Sequence, residues 1–393
     1  MQLVLFLAGV FVITLILGRL LEKIRIPWIF AALLIGLGLA AYNPFGDVTS
    51  SPEFLFLANL GMYFLLFIIG FELDIKELKD SSVFILKATV IIILSEALMG
   101  SFLVHYFFGL PWVTAFLLSL SFATVGEAVL LPIFDDLKIT KTRFGQTALA
   151  IGALDDVFEV ATIIAISVLL GYSTGHGSMN VWLNIIVLVS LFALTFLVIH
   201  LRKFINHFKY HDISMYFLIS IILLFTFIGI GSYVESAALG ALLAGISLRY
   251  IAPKRTMKYL ESDIKTLAYG FLAPIFFLWV GVDVNIPYLL KYPLLILMFM
   301  CAINITKILS SIAIGRKEMG TKKSFLLGIA LSVKFSTSIV ILKLLLEKGV
   351  IQSDVYSVLI GTQILFKFVL PFLLSYLITR WDISFTKNIS RVG

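Results

Sequence analysis

Asp155 and Asp156 stand side by side in GALDDVFEV (152–160), one turn before Glu159, inside an apolar run from Gly145 to Leu170. Carboxylates bind protons and hard cations alike, because both want oxygen donors. At the centre of a membrane-spanning helix an Asp costs about 2.5–3.5 kcal/mol, and acids kept at such depth are as a rule functional. Adjacent helical residues point about 100° apart, so one aspartate can meet a fixed partner while the other faces a cavity. Deep cations are available: Lys87, Lys307, Lys334, Lys343 and Lys367 all fall within apolar runs, as do the acids Glu96 and Glu127. Hydroxyls gather in SFATVGEAV (121–129) and VKFSTS (333–338). An intramembrane aspartyl protease needs acids on separate helices and resembles a GxGD pattern that is missing here; HExxH is missing too, and the single Cys301 supports neither a disulfide nor a thiolate metal site.

The elements that hold these groups are read from hydropathy. A hydrophobic fraction of 60%, 13% charged residues and a mean hydropathy of +1.07 leave only a polytopic membrane protein. Thirteen windows read as helices: 2–19, 28–42, 54–71, 82–108, 112–134, 144–171, 181–201, 213–231, 235–250, 264–282, 288–315, 321–346 and 352–380. The first lacks a basic leader and a cleavage site, so it reads as a retained helix. With the N-terminus outside, 23 of the 30 Lys/Arg fall on the cytoplasmic side and two, Lys291 and Lys348, on the other. This asymmetry predicts an N-out, C-in topology and makes the +7 charge a topology signal, with no nucleic-acid partner expected. The five histidines sit at helix ends or in loops without ligand spacing.

An internal repeat organises the chain. ALLIGLGL (32–39) resembles ALLAGISL (241–248), and GFELDI (70–75) resembles GVDVNI (281–286), at offsets of 209 and 211 and in the same order. Seven windows separate the copies, and an odd shift inverts orientation, the arrangement of many secondary transporters. The offset sets Ser95-Glu96 against Thr306-Lys307, and Asp156 against Lys367. One repeat thus supplies acids and the other bases at matching depths. It also aligns 121–129 with 333–338 as points where two helices break, with Glu127 and Lys334 placed to compensate the exposed dipole ends or to pair. Gly229, Gly231, Gly240 and Gly245 are expected to permit close helix packing.

GRLLEKIRIPWIFAALLIGLGL (18–39), LGMYFLLFIIGFELD (60–74), AVLLPIF (128–134), GALDDV (152–157), ALGALLAGISL (238–248), PIFFLWVGVDV (274–284) and TKIL (306–309) together resemble the bacterial and archaeal monovalent cation:proton antiporters of the second cation:proton antiporter family, with the NhaA-like fold. The resemblance implies an all-α integral membrane protein of about 13 transmembrane helices, with inverted repeats and two broken crossing helices. It implies one transmembrane domain over 1–393: scaffold and dimer helices at about 1–80 and 210–285, ion-binding core helices at about 81–171 and 286–380. By matching position, Asp156 is the carboxylate that takes the cation, Asp155 the partner of Lys307, and Thr124 a residue of the first crossover. Where relatives carry an Arg-Gly-Glu-like stretch this chain has Lys334, Phe335 and Ser336, and Glu127 is an added acid. The chain ends at Gly393, so no C-terminal regulatory domain is expected.

The reading is a transporter and not an enzyme, without cofactor, multi-pass in the cell membrane and homodimeric. It exchanges Na⁺ or Li⁺ for protons electrogenically by alternating access. Asp156 binds the metal ion as transported cargo, Ser121 and Thr124 add oxygens, and Lys307 releases a second proton when cation weakens its pair with Asp155. The alternatives are K⁺/H⁺ exchange, and a Na⁺-coupled organic-anion symporter on the same fold, which would need a roomy polar cavity.

Overall fold

The computed structural model describes residues 2–23, 26–73, 82–123, 125, 130, 134, 139–140, 142–173, 178–201, 213–233, 236–252, 254–332 and 336–381, and of several of these, Asp156 and Lys367 among them, the backbone alone. Regular structure among these residues is helical. The helices are α1 (Gln2–Lys23), α2 (Phe30–Ala41), α3 (Gly46–Thr49), α4 (Pro52–Glu72), α5 (Val83–Phe108), α6 (Trp112–Phe122), α7 (Arg143–Ser173), α8 (Ser178–His200), α9 (Ile213–Ser232), α10 (Ala237–Ile251), α11 (Lys254–Leu267), α12 (Ala273–Val282), α13 (Ile286–Lys291), α14 (Pro293–Met319), α15 (Thr321–Leu331), α16 (Ser336–Glu347) and α17 (Ser353–Arg380). Helix occupies every window expected from hydropathy. Six spans among the described residues are long and apolar enough to cross a bilayer: α1, α4, α5, α9, α14 and the continuous stretch Thr256–Val282. The chain is a multi-pass membrane protein.

Two windows are interrupted. In 112–134 the helix stops at Phe122, and Val125 is not helical. In 321–346, α15 stops at Leu331 and the next described helix begins at Ser336. A third irregularity has a local cause. Pro274 has no N–H and its ring crowds the carbonyl one turn back, and the chain ahead of it widens into a π-turn over Ala268–Leu272 that joins α11 to α12.

The chain folds as two compact units, residues 1–14, 32–73 and 160–282 in one, and residues 15–31, 74–159 and 283–393 in the other. The first unit is held by two glycine crossings. A Cβ on Gly36 of α2 would stand 2.9 Å from the Gly281 Cα of α12, and one on Gly245 of α10 would stand 2.8 Å from the Phe71 backbone nitrogen of α4, beside Gly70. Gly36 and Gly245 are the matched glycines of the first sequence repeat, Gly70 and Gly281 those of the second. Each repeat therefore contributes one helix to each crossing, and the short matches survive where backbones must touch. Gly231 and Gly240 are closely packed as well, whereas Gly229 has nothing within 4 Å and corrects the expectation for that residue. Beside the α4–α10 crossing, Arg249 donates to the Phe71 carbonyl (3.0 Å), and Lys265 bridges Glu72 and Glu261 (both 2.6 Å).

The second unit packs α5 and α15 against α14. One end of it is tied by polar contacts. Lys343 is fully buried under Asp283 and Glu347, the Asn285 amide side chain donates to Asp354 (3.0 Å), and its backbone N–H donates to Ser357 (2.7 Å).

Candidate functional site

The site lies in the second unit, where the interrupted helices end. Local chemistry explains why α6 stops. Ser119 and Ser121 turn their hydroxyls back onto the Ala115 and Leu118 carbonyls (2.7 and 2.6 Å), a bonding mode that competes with the helix ladder. At the end of α15, Ser332 does the same to Gly328 (2.8 Å). Gly328 also lets α15 press onto α14, since a Cβ there would stand 2.6 Å from the Ile308 Cα. That approach, one residue from Lys307, brings the last carbonyls of α15 within reach of the lysine.

Lys307 is the node of the site. Its ammonium donates to the Leu331 carbonyl at 2.8 Å and the Ala123 carbonyl at 3.1 Å, and pairs with the Glu96 carboxylate at 2.7 Å. Ala123 caps α6 and Leu331 closes α15, so the cation sits on the C-terminal ends of both interrupted helices. Carbonyls there have no intrahelical partner and carry the negative dipole end. Lys307 and Glu96 are both 0% exposed, and a collar of Ile93, Ala97, Ala123, Phe116, Leu120 and Phe158 packs beside them. Bulk solvent reaches neither side chain, and the charges rest on one another and on backbone dipoles.

Asp155, on α7, is fully buried and holds a different pole. The Val125 backbone N–H, just past the end of α6, donates to its Oδ2 at 2.5 Å. Glu159 follows one turn along on the same buried stripe. The arrangement sorts by sign: the cation takes carbonyls of the interrupted segments and the anion takes an amide.

Among the described residues the carboxylate beside the Lys307 ammonium is that of Glu96, whereas the resemblance implied Asp155 as its partner. Glu96 reaches Lys307 from α5, which packs directly on α14, while Asp155 accepts from the Val125 N–H. The signal was in the repeat, since residue 96 plus the offset of 211 is residue 307. The Ser121 hydroxyl proton is spent on Leu118, so only its lone pairs could serve a cation. Thr124, Glu127 and Lys334 lie outside the described residues, as does the side chain of Asp156, whose backbone belongs to α7.

Comparison with known proteins gives concordant results. A family model described as sodium/hydrogen exchanger, transmembrane, matches residues 10–380. A probable Na⁺/H⁺ antiporter of Methanocaldococcus jannaschii is 25% identical over 375 residues, spanning 92% of this chain and 93% of the relative. A Na⁺/H⁺ antiporter of Enterococcus hirae is 23% identical over 385 residues, spanning 93% and 96%. The glutathione-regulated potassium-efflux protein KefC of Escherichia fergusonii is 28% identical over 269 residues, 66% of this chain and 42% of that protein. The solved structure of the sodium proton antiporter MjNhaP1 from Methanocaldococcus jannaschii at pH 8 superposes with a TM-score of 0.63 over 97% of both chains at 19% identity. The chain belongs to the sodium/hydrogen exchanger transmembrane family.

Proposed function

We propose that this family member exchanges Na⁺ or Li⁺ for protons across the cell membrane by alternating access, at a site centred on the Asp155–Asp156 pair, moving net charge in each cycle. The observation that carries the reading is the buried charge cluster at the two helix interruptions: a lysine on carbonyl ends and an aspartate on an amide. Such a cluster keeps broken helices stable inside a bilayer, where unpaired backbone groups are not tolerated, and it leaves the adjacent Asp156 to the cargo. Cation and proton compete there for one set of carboxylate oxygens, so exchange needs no separate coupling device. Two protons leaving for each cation entering makes the exchange electrogenic. The protein works as a homodimer, N-terminus out and C-terminus in, through scaffold and core bodies near the sequence boundaries given above.

K⁺/H⁺ exchange is the second reading, favoured by the likeness to a potassium-efflux protein. Inside-out vesicles carrying the protein, with a pH gradient established first, decide between them. Collapse of the gradient on adding Na⁺ or Li⁺ and not K⁺ is expected; collapse by K⁺ alone supports the second reading, and no collapse by any of the three refutes both.

A further inference from the structure

We propose that Lys343 is a positioning residue for exchange: it anchors Asp283 at a hinge where the chain passes from one compact unit into the other, and Lys265 with Glu72 forms the repeat-related counterpart. The inference rests on the antiport reading above and adds to it the points about which the units turn.

The chain crosses between the two units after residues 14, 31, 73, 159 and 282. The crossings at 14, 31 and 159 lie inside α1, α2 and α7, where the helical ladder runs straight through. Those at 73 and 282 fall at the ends of α4 and α12. Domain motions gather their φ/ψ changes in a few loop or element-terminal residues, so these two crossings are the hinges.

The repeat relates them. Glu72 and Asp283 are 211 apart, the offset that also relates Gly70 to Gly281, so each hinge opens on an equivalent acid. An acid there faces the negative dipole end of its helix and needs a cation. Each acid has a lysine, and each lysine also takes a glutamate one turn away on its own helix. Lys265 bridges Glu72 and Glu261, both at 2.6 Å. Lys343 bridges Asp283 and Glu347, the latter at 2.8 Å.

The two clasps hold opposite sides of their hinges. Glu72 and Lys265 both belong to the first unit, so α4 is held up to the point of bending. Asp283 and Lys343 both belong to the second, so the chain is gripped as soon as it arrives. Two residues further, the Asn285 N–H donates to Ser357 (2.7 Å) and its side chain donates to Asp354 (3.0 Å), both on α17. Bending at the second hinge is thereby confined to the few bonds between Val282 and Asn285. Lys343 stands on α16, the half-helix that begins beyond the second interruption, so the hinge anchor and that half-helix move as one piece. A loosened anchor spreads the bend over more bonds and slows the change of access state. It leaves the oxygens offered to the cation untouched.

Burial ranks the clasps. Lys343 is 0% exposed and Lys265 35%, and a charge pair buried on one side loses more when broken than a solvent-screened one.

The test compares Lys343→Met, Lys343→Arg, Asp283→Asn and Lys265→Met with the parent. Na⁺/H⁺ exchange at saturating Na⁺ is read in proteoliposomes per folded protein, Na⁺ affinity by calorimetry in detergent, and amide hydrogen exchange over residues 282–286. Lys343→Met should slow exchange by at least about tenfold while its Na⁺ dissociation constant stays within about twofold of the parent, the pattern of a lost positioning group. Lys343→Arg, which keeps the charge, should exchange at least about threefold faster than Lys343→Met, and Lys265→Met should lose less than about threefold. Amides at 282–286 should exchange at least about tenfold faster in Lys343→Met than in the parent, with those of α14 unchanged. Should Lys343→Met not fold, Asp283→Asn carries the same expectations, because Lys343 then keeps Glu347. Exchange within about twofold of the parent in every folded variant, whatever the melting temperature, overturns the positioning role. Na⁺ affinity that falls in step with the rate overturns it as well. If the parent exchanges no cation for protons, the transport reading fails by itself. The anchor is then judged by hydrogen exchange alone: faster exchange at 282–286 in Lys343→Met or Asp283→Asn upholds it, and unchanged exchange sinks it.

Discussion

Replacing Gly245 by Ala tests the crossing on which the first unit depends. The added Cβ would stand 2.8 Å from the Phe71 nitrogen and 2.9 Å from the Phe67 carbonyl carbon, where ordinary contact begins at 3.4 Å. Nearer still would be the Phe67 carbonyl oxygen; all three are helix backbone and cannot rotate away, so α4 and α10 must separate by about 1 Å. A gap of 0.5–1 Å forfeits about a quarter to a half of each dispersion contact, and a crossing holds a few tens of atom pairs worth about 0.1–0.2 kcal/mol each. Phe67, Phe71 and Leu242, all 2% exposed or less, lie in that seam. The loss comes to about 1–2 kcal/mol, and backbone distortion raises it to about 2–3 kcal/mol, within the range of overpacked cores. Gly36→Ala should match it, because the repeat-related crossing is as close. The control is Gly38→Ala in the same helix as Gly36: nothing lies within 4 Å of its Cβ, and relief of glycine's helix penalty should add about 0.5–1 kcal/mol. In detergent, followed by tryptophan fluorescence, Gly245→Ala should melt about 4–6 °C below the parent at about 2 °C per kcal/mol, and Gly38→Ala at or above it. If Gly245→Ala melts within 1 °C of Gly38→Ala, the backbones do not touch as described and the reasoning fails.

Three further outcomes concern the charged residues. Asp156→Asn should abolish cation-dependent proton flux while leaving a folded, membrane-inserted protein; flux near the parental rate would remove Asp156 from the site. Lys343→Met should lower stability by about 2–3 kcal/mol, below the 3–5 of a fully buried pair because Asp283 and Glu347 are 33% and 39% exposed. Lys265→Met, whose ion pairs are all one-third exposed or more, should cost under about 1 kcal/mol, and equal melting shifts for the two lysines would contradict this ranking. Glu127 and Lys334 are expected to pair, so a double neutral variant should recover part of the stability lost by each single one, and strictly additive shifts would refute the pairing.

Hydropathy made the membrane class and the helical windows legible because the bilayer constrains each segment locally: about 20 apolar residues span it wherever they occur in the chain. The interruption of 112–134 was legible too, since serines that bond their own helix mark a weak ladder. The repeat was legible as two short matches, and the structure gives the reason in Gly36 with Gly245 and Gly70 with Gly281, where a side chain would part the backbones. Even the pairing of Glu96 with Lys307 was written in the offset, but nothing in the sequence ranked it above Asp155, because the acids around Lys307 are alike in type and depth. Choosing among them takes a carboxylate and two carbonyls gathered around one ammonium from α5, α6 and α15, helices drawn from both halves of the chain. A sequence alone can say that a buried lysine must be satisfied; only the packing of those helices decides by which groups, because the satisfaction of a buried charge is a matter of ångströms in space.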